Sequence, residues 1–202
     1  MKALLASGNR GKLLELRNIF RNSGLDLAAC ADAGVALPNT PETGGSYLEN
    51  ARLKAVALAE LAGIPALADD SGLEVDALGG APGIQSARYA GDRATDAENI
   101  ARLLREMAEQ PDRTARFRCV LVLAWPDGGI ISSEGTLTGT IARTARGNNG
   151  FGYDPVFVLP DGRHAAELPT EEKDRISHRA VAANNLVIEL GRTGKTGPLG
   201  RP

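Results

Sequence analysis

The chain has only two cysteines, Cys30 and Cys119, and both lie in apolar, strand-like runs. They read as small buried hydrophobes, which excludes a disulfide framework and a zinc site. Long apolar stretches are missing too. No run approaches the roughly 18 residues of a membrane span, and Met1 is not followed by the apolar core of a signal peptide. The expectation is a cytoplasmic protein with no membrane partner. Excess charge of one sign is also lacking. A net charge of −2 does not suit a protein that coats nucleic acid. A small anionic ligand remains open, because it needs only a local basic cluster. No Ser-His-Asp set, reactive cysteine, internal repeat or linker is evident. What is present is 202 residues, 43% hydrophobic and 24% charged, which suits a globular domain with a sizeable core.

The stretch from Ala66 to Leu78, ALADDSGLEVDAL, organises the rest. Ile64 to Ala68 is short and apolar and follows a glycine-containing break, which predicts a buried strand. Adjacent carboxylates come next, Asp69 and Asp70, then Ser71-Gly72, then Glu74 and Asp76 at alternate positions. On an extended backbone Asp69 and Asp70 point to opposite faces, so only one can serve a given pocket. Asp-Asp-Ser-Gly is rich in turn formers, so a plain turn after the strand is one reading. The other is a strand whose C-terminal end delivers a carboxylate to a metal ion or a water, where open α/β sheets bind ligands.

From the start, Lys2 to Ala6 is an apolar run. Ser7-Gly8-Asn9-Arg10-Gly11-Lys12 follows, and then Leu13, Leu16 and Phe20 at helical spacing. Strand, glycine-rich loop and helix in that order aim backbone N–H groups and the positive helix end at one spot, a ready anion site. Arg10 and Lys12 favour phosphate there, against an ordinary βα turn. It is not a Walker loop, because Gly8 and Gly11 are too close and Leu13 replaces the metal-binding hydroxyl. Leu25 to Cys30 predicts a second strand, and Ala31 to Gly45 a loop carrying Glu42. Ser46 and Glu49 have capping-box spacing, so Glu49 reads as a cap and not a ligand. Lys54, further along that helix, reads equally as a phosphate partner or a solvated residue.

Thr95 and Glu98 repeat the capping-box spacing ahead of an amphipathic helix through Met107. Ala115 to Trp125 and Ile130 to Ala142, joined through Asp127-Gly128-Gly129, predict a hairpin. The Gly147 to Pro155 segment is rich in glycine and carries Phe151 and Tyr153. It suits close approach to a flat ligand, or else packs on its own aromatics. His164 beside a turn reads as solvent-facing. His178 with Arg179 reads as a surface pair or as part of a site. The tail after Gly191 has no apolar period and is expected to be mobile.

Taken together, SGNRGK at Ser7 to Lys12, ENARLKA at Glu49 to Ala55, ADDSGLEVDALGGAPGIQSARYAG at Ala68 to Gly91, GFGYDPVF at Gly150 to Phe157, AAEL with EEK at Ala165 to Lys173, and SHR at Ser177 to Arg179 resemble the inosine triphosphate pyrophosphatases. The resemblance implies an α/β fold with an elongated mixed central β-sheet flanked by helices. It implies one domain of two lobes over residues 1–191, an active-site cleft between them, and a tail at 192–202. It implies hydrolysis of dITP, ITP and XTP to monophosphate and pyrophosphate, a Mg²⁺ requirement and a homodimer. By position, Ser7, Gly8, Asn9, Arg10, Gly11 and Lys12 would hold the triphosphate. Asp70 would bind Mg²⁺ and act on the attacking water, Ser71 would contact substrate, and Glu42 would be the second metal carboxylate. Phe151, Gly152, Tyr153, Asp154, Lys173, His178 and Arg179 would surround base and sugar. Ser7 stands where Thr is frequent, and Asn148-Asn149 stand where smaller residues are usual. The chemistry is consistent, since Mg²⁺ takes one or two carboxylates with phosphate and water. A non-catalytic nucleotide-binding regulator on the same fold is the alternative.

Overall fold

The computed structural model describes residues 1–194. Along the chain run β1 (Lys2–Leu5), α1 (Arg10–Phe20), β2 (Asp26–Ala29), α2 (Tyr47–Ala62), β3 (Ala66–Val75), α3 (Asp96–Glu106), β4 (Thr114–Ala124), β5 (Ile130–Ile141), β6 (Phe157–Val158), α4 (Thr170–Ile176) and α5 (His178–Thr193). The strands form one mixed sheet in the order β2-β1-β3-β4-β5-β6. β1 pairs in parallel with β2, Lys2 opposite Asp26 through Leu5 opposite Ala29, and with β3, Leu4 opposite Ala66 and Leu5 opposite Leu67. Parallel neighbours need long crossovers, and α1 and α2 supply them. β5 and β6 are antiparallel, with Ile141 opposite Phe157. The α/β class and the flanking helices agree with expectation.

The chain forms two compact units. The first holds Met1–Asp70, Cys119–Gly135 and the chain from Arg179 onward; the second holds Ser71–Arg118 and Thr136–His178. The first unit's core joins Leu5, Leu67 and Leu121 of the strands to Leu16 and Phe20 of α1 and Leu186 of α5. The second unit's core joins Leu73, Phe117 and Phe157 to Leu103 and Met107 at α3 and to Tyr153. Cys30 and Cys119 are buried free thiols. Among the described residues no helix is long and apolar enough to cross a membrane.

Several local expectations change. β3 does not turn at Ser71-Gly72 but continues to Val75. Turn formers obey the sheet here because β3 lies between β1 and β4, its Leu73 amide donates to Ser86 Oγ at 2.9 Å, and each carboxylate has a cation at hand. His164 and His178 are buried, not surface residues. His164 Nδ1 lies 2.7 Å from the Pro155 carbonyl oxygen, a partner 9 residues away in sequence that spacing does not show. α5 continues to Thr193, past the expected end of order at Gly191. The remainder of the expected tail, 195–202, lies outside the described residues.

Candidate active site

The first unit gathers charge around the middle of β3. As pleating requires, Asp69 and Asp70 have separate partners. Asp70 is 6% exposed. Its Oδ1 accepts from Lys54 Nζ at 3.2 Å and its Oδ2 from Asn50 Nδ2 at 3.2 Å. Lys54 Nζ also donates to Glu42 Oε1 at 2.8 Å and to the Asp69 carbonyl at 2.9 Å. One ammonium thus sits between two carboxylates. The helix explains the placement. Asn50 and Lys54 are one turn apart on α2, beside the buried stripe Ala51, Ala55 and Leu58. Burial pushes the Asp70 carboxyl up, Lys54 pulls it down, and Glu42 adds to the rise. Lys54 is held above its ordinary value: burial opposes its charge, but Asp70, Glu42 and Asp69 outweigh that.

Asp69 faces the other way. Its carboxylate pairs with Lys12 Nζ and, at 3.0 Å, with Arg179 Nε. Arg179 Nη1 reaches Glu15 Oε2 at 3.1 Å. Cys119 Sγ lies 3.6 Å from Asp69 Oδ2. Arg179, Asp69 and Glu15 are all buried. Burial works against the Arg179 charge, yet Asp69 and Glu15 raise its pKa. Arg179, expected beside the base, is placed here with Nε and Nη1 on carboxylates. The glycine-rich loop also differs from a bare anion nest. Asn9 caps α1, its Oδ1 accepting from the Gly11 and Lys12 amides at 2.9 and 3.2 Å, and Ser7 Oγ accepts from the Asn9 amide at 3.1 Å. Gly8 and Arg10 are exposed.

The second unit builds a different surface. Gly147, Gly150 and Gly152 all have positive φ, so the loop bends where other residues would be strained. Asp154 Oδ2 accepts from the Phe151 amide at 2.8 Å and pairs with Lys173 Nζ. Lys173 Nζ lies 5.0 Å from the Phe151 ring centroid. Tyr153 is core, 5% exposed, with its hydroxyl donating to the Ser86 carbonyl at 2.8 Å. Of the loop's two rings, that of Tyr153 is packed in the core and that of Phe151 lies beside Lys173. Asn149 ties the loop down through its amide to Ala166 and its side chain to Leu168, both at 3.0 Å. The His178 ring stacks on Phe117 at 4.9 Å between centroids.

Sequence reading left Lys54 open and missed Asn50 and Glu15. The available signal was polar residues at helical spacing beside buried positions, Asn50 and Lys54 on α2 and Lys12 and Glu15 on α1. Ser46 caps α2, its Oγ accepting from the Glu49 amide at 3.2 Å, and the Glu49 carboxylate accepts not from the Ser46 amide, as a capping box requires, but from Gly45 N at 2.7 Å.

A bound cation suits Glu42 and Asp70, which already hold an ammonium between them. Among the described residues no group of three or more His, Cys, Asp or Glu gathers to hold a metal. Two carboxylates are the number of protein donors that Mg²⁺ commonly takes, phosphate and water supplying the rest, and not an all-protein cage.

The model of the Ham1 family matches residues 3–189. A Methylococcus capsulatus protein named dITP/XTP pyrophosphatase is 50% identical over 194 residues, covering 94% of this chain and 96% of its own. One of the same name from Salmonella paratyphi A is 49% identical over 198 residues, covering 96% and 99%. The solved structure of a HAM1 protein from Coxiella burnetii matches with a TM-score of 0.85 at 43% identity, covering 95% of this chain and 99% of that one.

Proposed function

This chain belongs to the Ham1 family, and from that premise we propose that it is a Mg²⁺-dependent nucleoside triphosphate pyrophosphatase. It takes dITP, ITP and XTP to the monophosphate and pyrophosphate and so clears aberrant purine nucleotides from the pool. The observation that carries the reading is the Asp70–Lys54–Glu42 cluster, in which one half-buried ammonium bridges a buried and a half-buried carboxylate. Asp70 and Glu42 would hold the ion. Bound there, Mg²⁺ supplies charge neutralisation on phosphate oxygens and lowers the cost of ionising water. Lys54, and Lys12 at the head of α1, add positive charge towards the phosphates. Asp70 takes the proton from water as the water oxygen bonds to phosphorus. The bond to the pyrophosphate half then breaks, and pyrophosphate leaves. A carboxylate positioned beside the attacking water can take that proton.

Base choice belongs to the second unit. Hypoxanthine and xanthine carry an acceptor at position 6 where adenine carries a donor. A donor from the His178 ring rewards the acceptor and leaves adenine facing N–H with N–H. Phe151 offers its ring to the base. Arg179 is given no contact with the base, since its Nε and Nη1 are on Asp69 and Glu15. A homodimer belongs to the same proposal, and sedimentation of the purified chain checks it.

The test is incubation with Mg²⁺ and ITP, with the released phosphorus identified. Pyrophosphate with IMP supports the proposal. Orthophosphate, or no turnover with intact nucleotide binding, overturns it, the latter in favour of a regulator.

A further inference from the structure

Besides the Tyr153 hydroxyl bond to Ser86, the Phe151 to Tyr153 loop has a backbone tie to an element remote in sequence, and that tie has no part in the mechanism above. The Gly152 amide donates to Asp96 Oδ2 at 2.7 Å, 56 residues away at the first position of α3. The adjacent Phe151 amide is held from the loop's other side by Asp154 Oδ2. Successive amides of one glycine-bent apex are therefore held by carboxylates from different elements. Gly152 has φ +61°, so its amide direction is a backbone choice that one strong acceptor can settle. What the tie needs from Asp96 is an acceptor oxygen at the right reach. α3 is a rigid support. Thr95 caps it, with Glu98 completing the box, and its buried Leu103 belongs to the core that also holds Tyr153.

We propose that Asp96 is a positioning residue for base recognition: it fixes the Gly152 amide and thereby the presentation of the Phe151 ring to a purine base. This rests on the reading of that loop as the base-binding element. The competing explanation is ordinary. An acid in the first turn of a helix stabilises it through the helix dipole, and Asp96 would then do nothing else.

Side-chain chemistry separates the two. Asp96→Asn keeps an acceptor oxygen at the same reach but loses the charge. Asp96→Glu keeps the charge but carries the oxygen one methylene too far. Asp96→Ala loses both. A positioning role ranks Asn near the parent and Glu near Ala; a helix-dipole role ranks Glu near the parent and Asn near Ala.

The experiment measures IMP affinity by calorimetry, KM and kcat for ITP, and the thermal midpoint, in the parent and all three variants. The expected result for Asp96→Ala and Asp96→Glu is IMP affinity and ITP KM weakened about five- to tenfold, with kcat within about twofold. Asp96→Asn stays within about threefold of the parent. IMP affinity unchanged in Asp96→Ala overturns the inference, as does an affinity order that follows thermal stability with Glu near the parent. IMP binding needs no turnover. A parent that binds IMP but does not hydrolyse ITP defeats the proposed function and still leaves this inference decidable.

Discussion

The Lys54 ammonium keeps its charge although burial opposes it, because the negative charges of Asp70, Glu42 and, from the other face of β3, Asp69 favour it. That makes its neighbours unequal. Asp70 touches Lys54 and Asn50 and is given the water to activate. Asp69 lies between Lys12 and Arg179 and is given no reaction step. Asp70→Asn is therefore expected to melt close to the parent and lose about 10²-fold or more in kcat, the share of a general base. Asp69→Asn leaves Lys12 and Arg179 short of a buried counter-charge and is expected to lose about 3 kcal/mol of stability. Denaturant unfolding and kcat on the same preparations check both. A destabilised Asp70→Asn with normal turnover would reverse the assignment. Tyr89 gives a residue-scale pH prediction. Burial first, and its bond to Glu106 second, push its phenol from 10.0 up to about 12. The raised value means the folded state favours the protonated phenol. Its contribution is whole below pH 10.0 and is lost as pH rises through about 12. The stability gap between parent and Tyr89→Phe is expected to close over that window in urea melts. A gap unchanged across it would show the phenol proton to be irrelevant.

Among the elements, the 147–154 loop is the one whose shape depends most visibly on missing side chains. A Cβ on Gly150 would stand 2.1 Å from Asp154 Oδ2 and 2.9 Å from Lys173 Nζ, at φ +77°. Gly150→Ala must push Asp154 off the Phe151 amide. Gly128, in the β4–β5 turn, has φ +87° and no atom within 4 Å of its would-be Cβ, so Gly128→Ala carries the backbone strain without the clash. Both variants are expected to lose about 1–2 kcal/mol. Only Gly150→Ala is expected to raise KM for ITP, by about tenfold, the cost of one displaced ligand contact. Equal KM values would mean that the Asp154 tie does not shape the site. Much at this scale was legible. The β1–loop–α1 opening, the Ser46 and Thr95 caps and the β4–β5 hairpin all follow from periodicity and capping residues. Asp69 and Asp70 on opposite faces follow from the pleat alone. Illegible were the features set by partners distant in sequence. Ser71-Gly72 stays extended because Ser86 takes the Leu73 amide. His164 is buried because Pro155 accepts from it. Tyr153 enters the core because Ser86 offers a carbonyl. Arg179 turns to Asp69 and Glu15, 110 and 164 residues away, which no local window can show.

Across the whole molecule, on the proposed reading, the chemistry is divided between the two units. The first would supply the cations and carboxylates for phosphate charge: Lys12, Lys54, Asp70 and Glu42. The second carries Phe151, Lys173 and His178, on a loop and a helix start supported by a separate core. The ligand's parts can therefore be offered separately. Inorganic tripolyphosphate with Mg²⁺ has the charge without the base, and inosine has the base without the charge. Lys54→Met removes a cation from the first unit, while bound Mg²⁺ keeps a counter-charge on Glu42 and Asp70. It is expected to weaken tripolyphosphate about tenfold or more and leave inosine unchanged, as loss of one charge-assisted contact should. Phe151→Ala is expected to do the reverse, since stacking on one aromatic ring is worth about 1–3 kcal/mol per base. The ratio of kcat/KM for ITP over ATP should follow the same division. It stays at the parent value in Lys54→Met, because both triphosphates lose the same interaction. It falls in His178→Ala, because a donor that favours a 6-oxo group is gone. Calorimetry with each half-ligand and the two-substrate ratio give independent readings. If Lys54→Met weakens inosine as much as tripolyphosphate, or shifts the ITP/ATP ratio as far as His178→Ala does, charge handling and base reading are not separable by unit and this assignment fails.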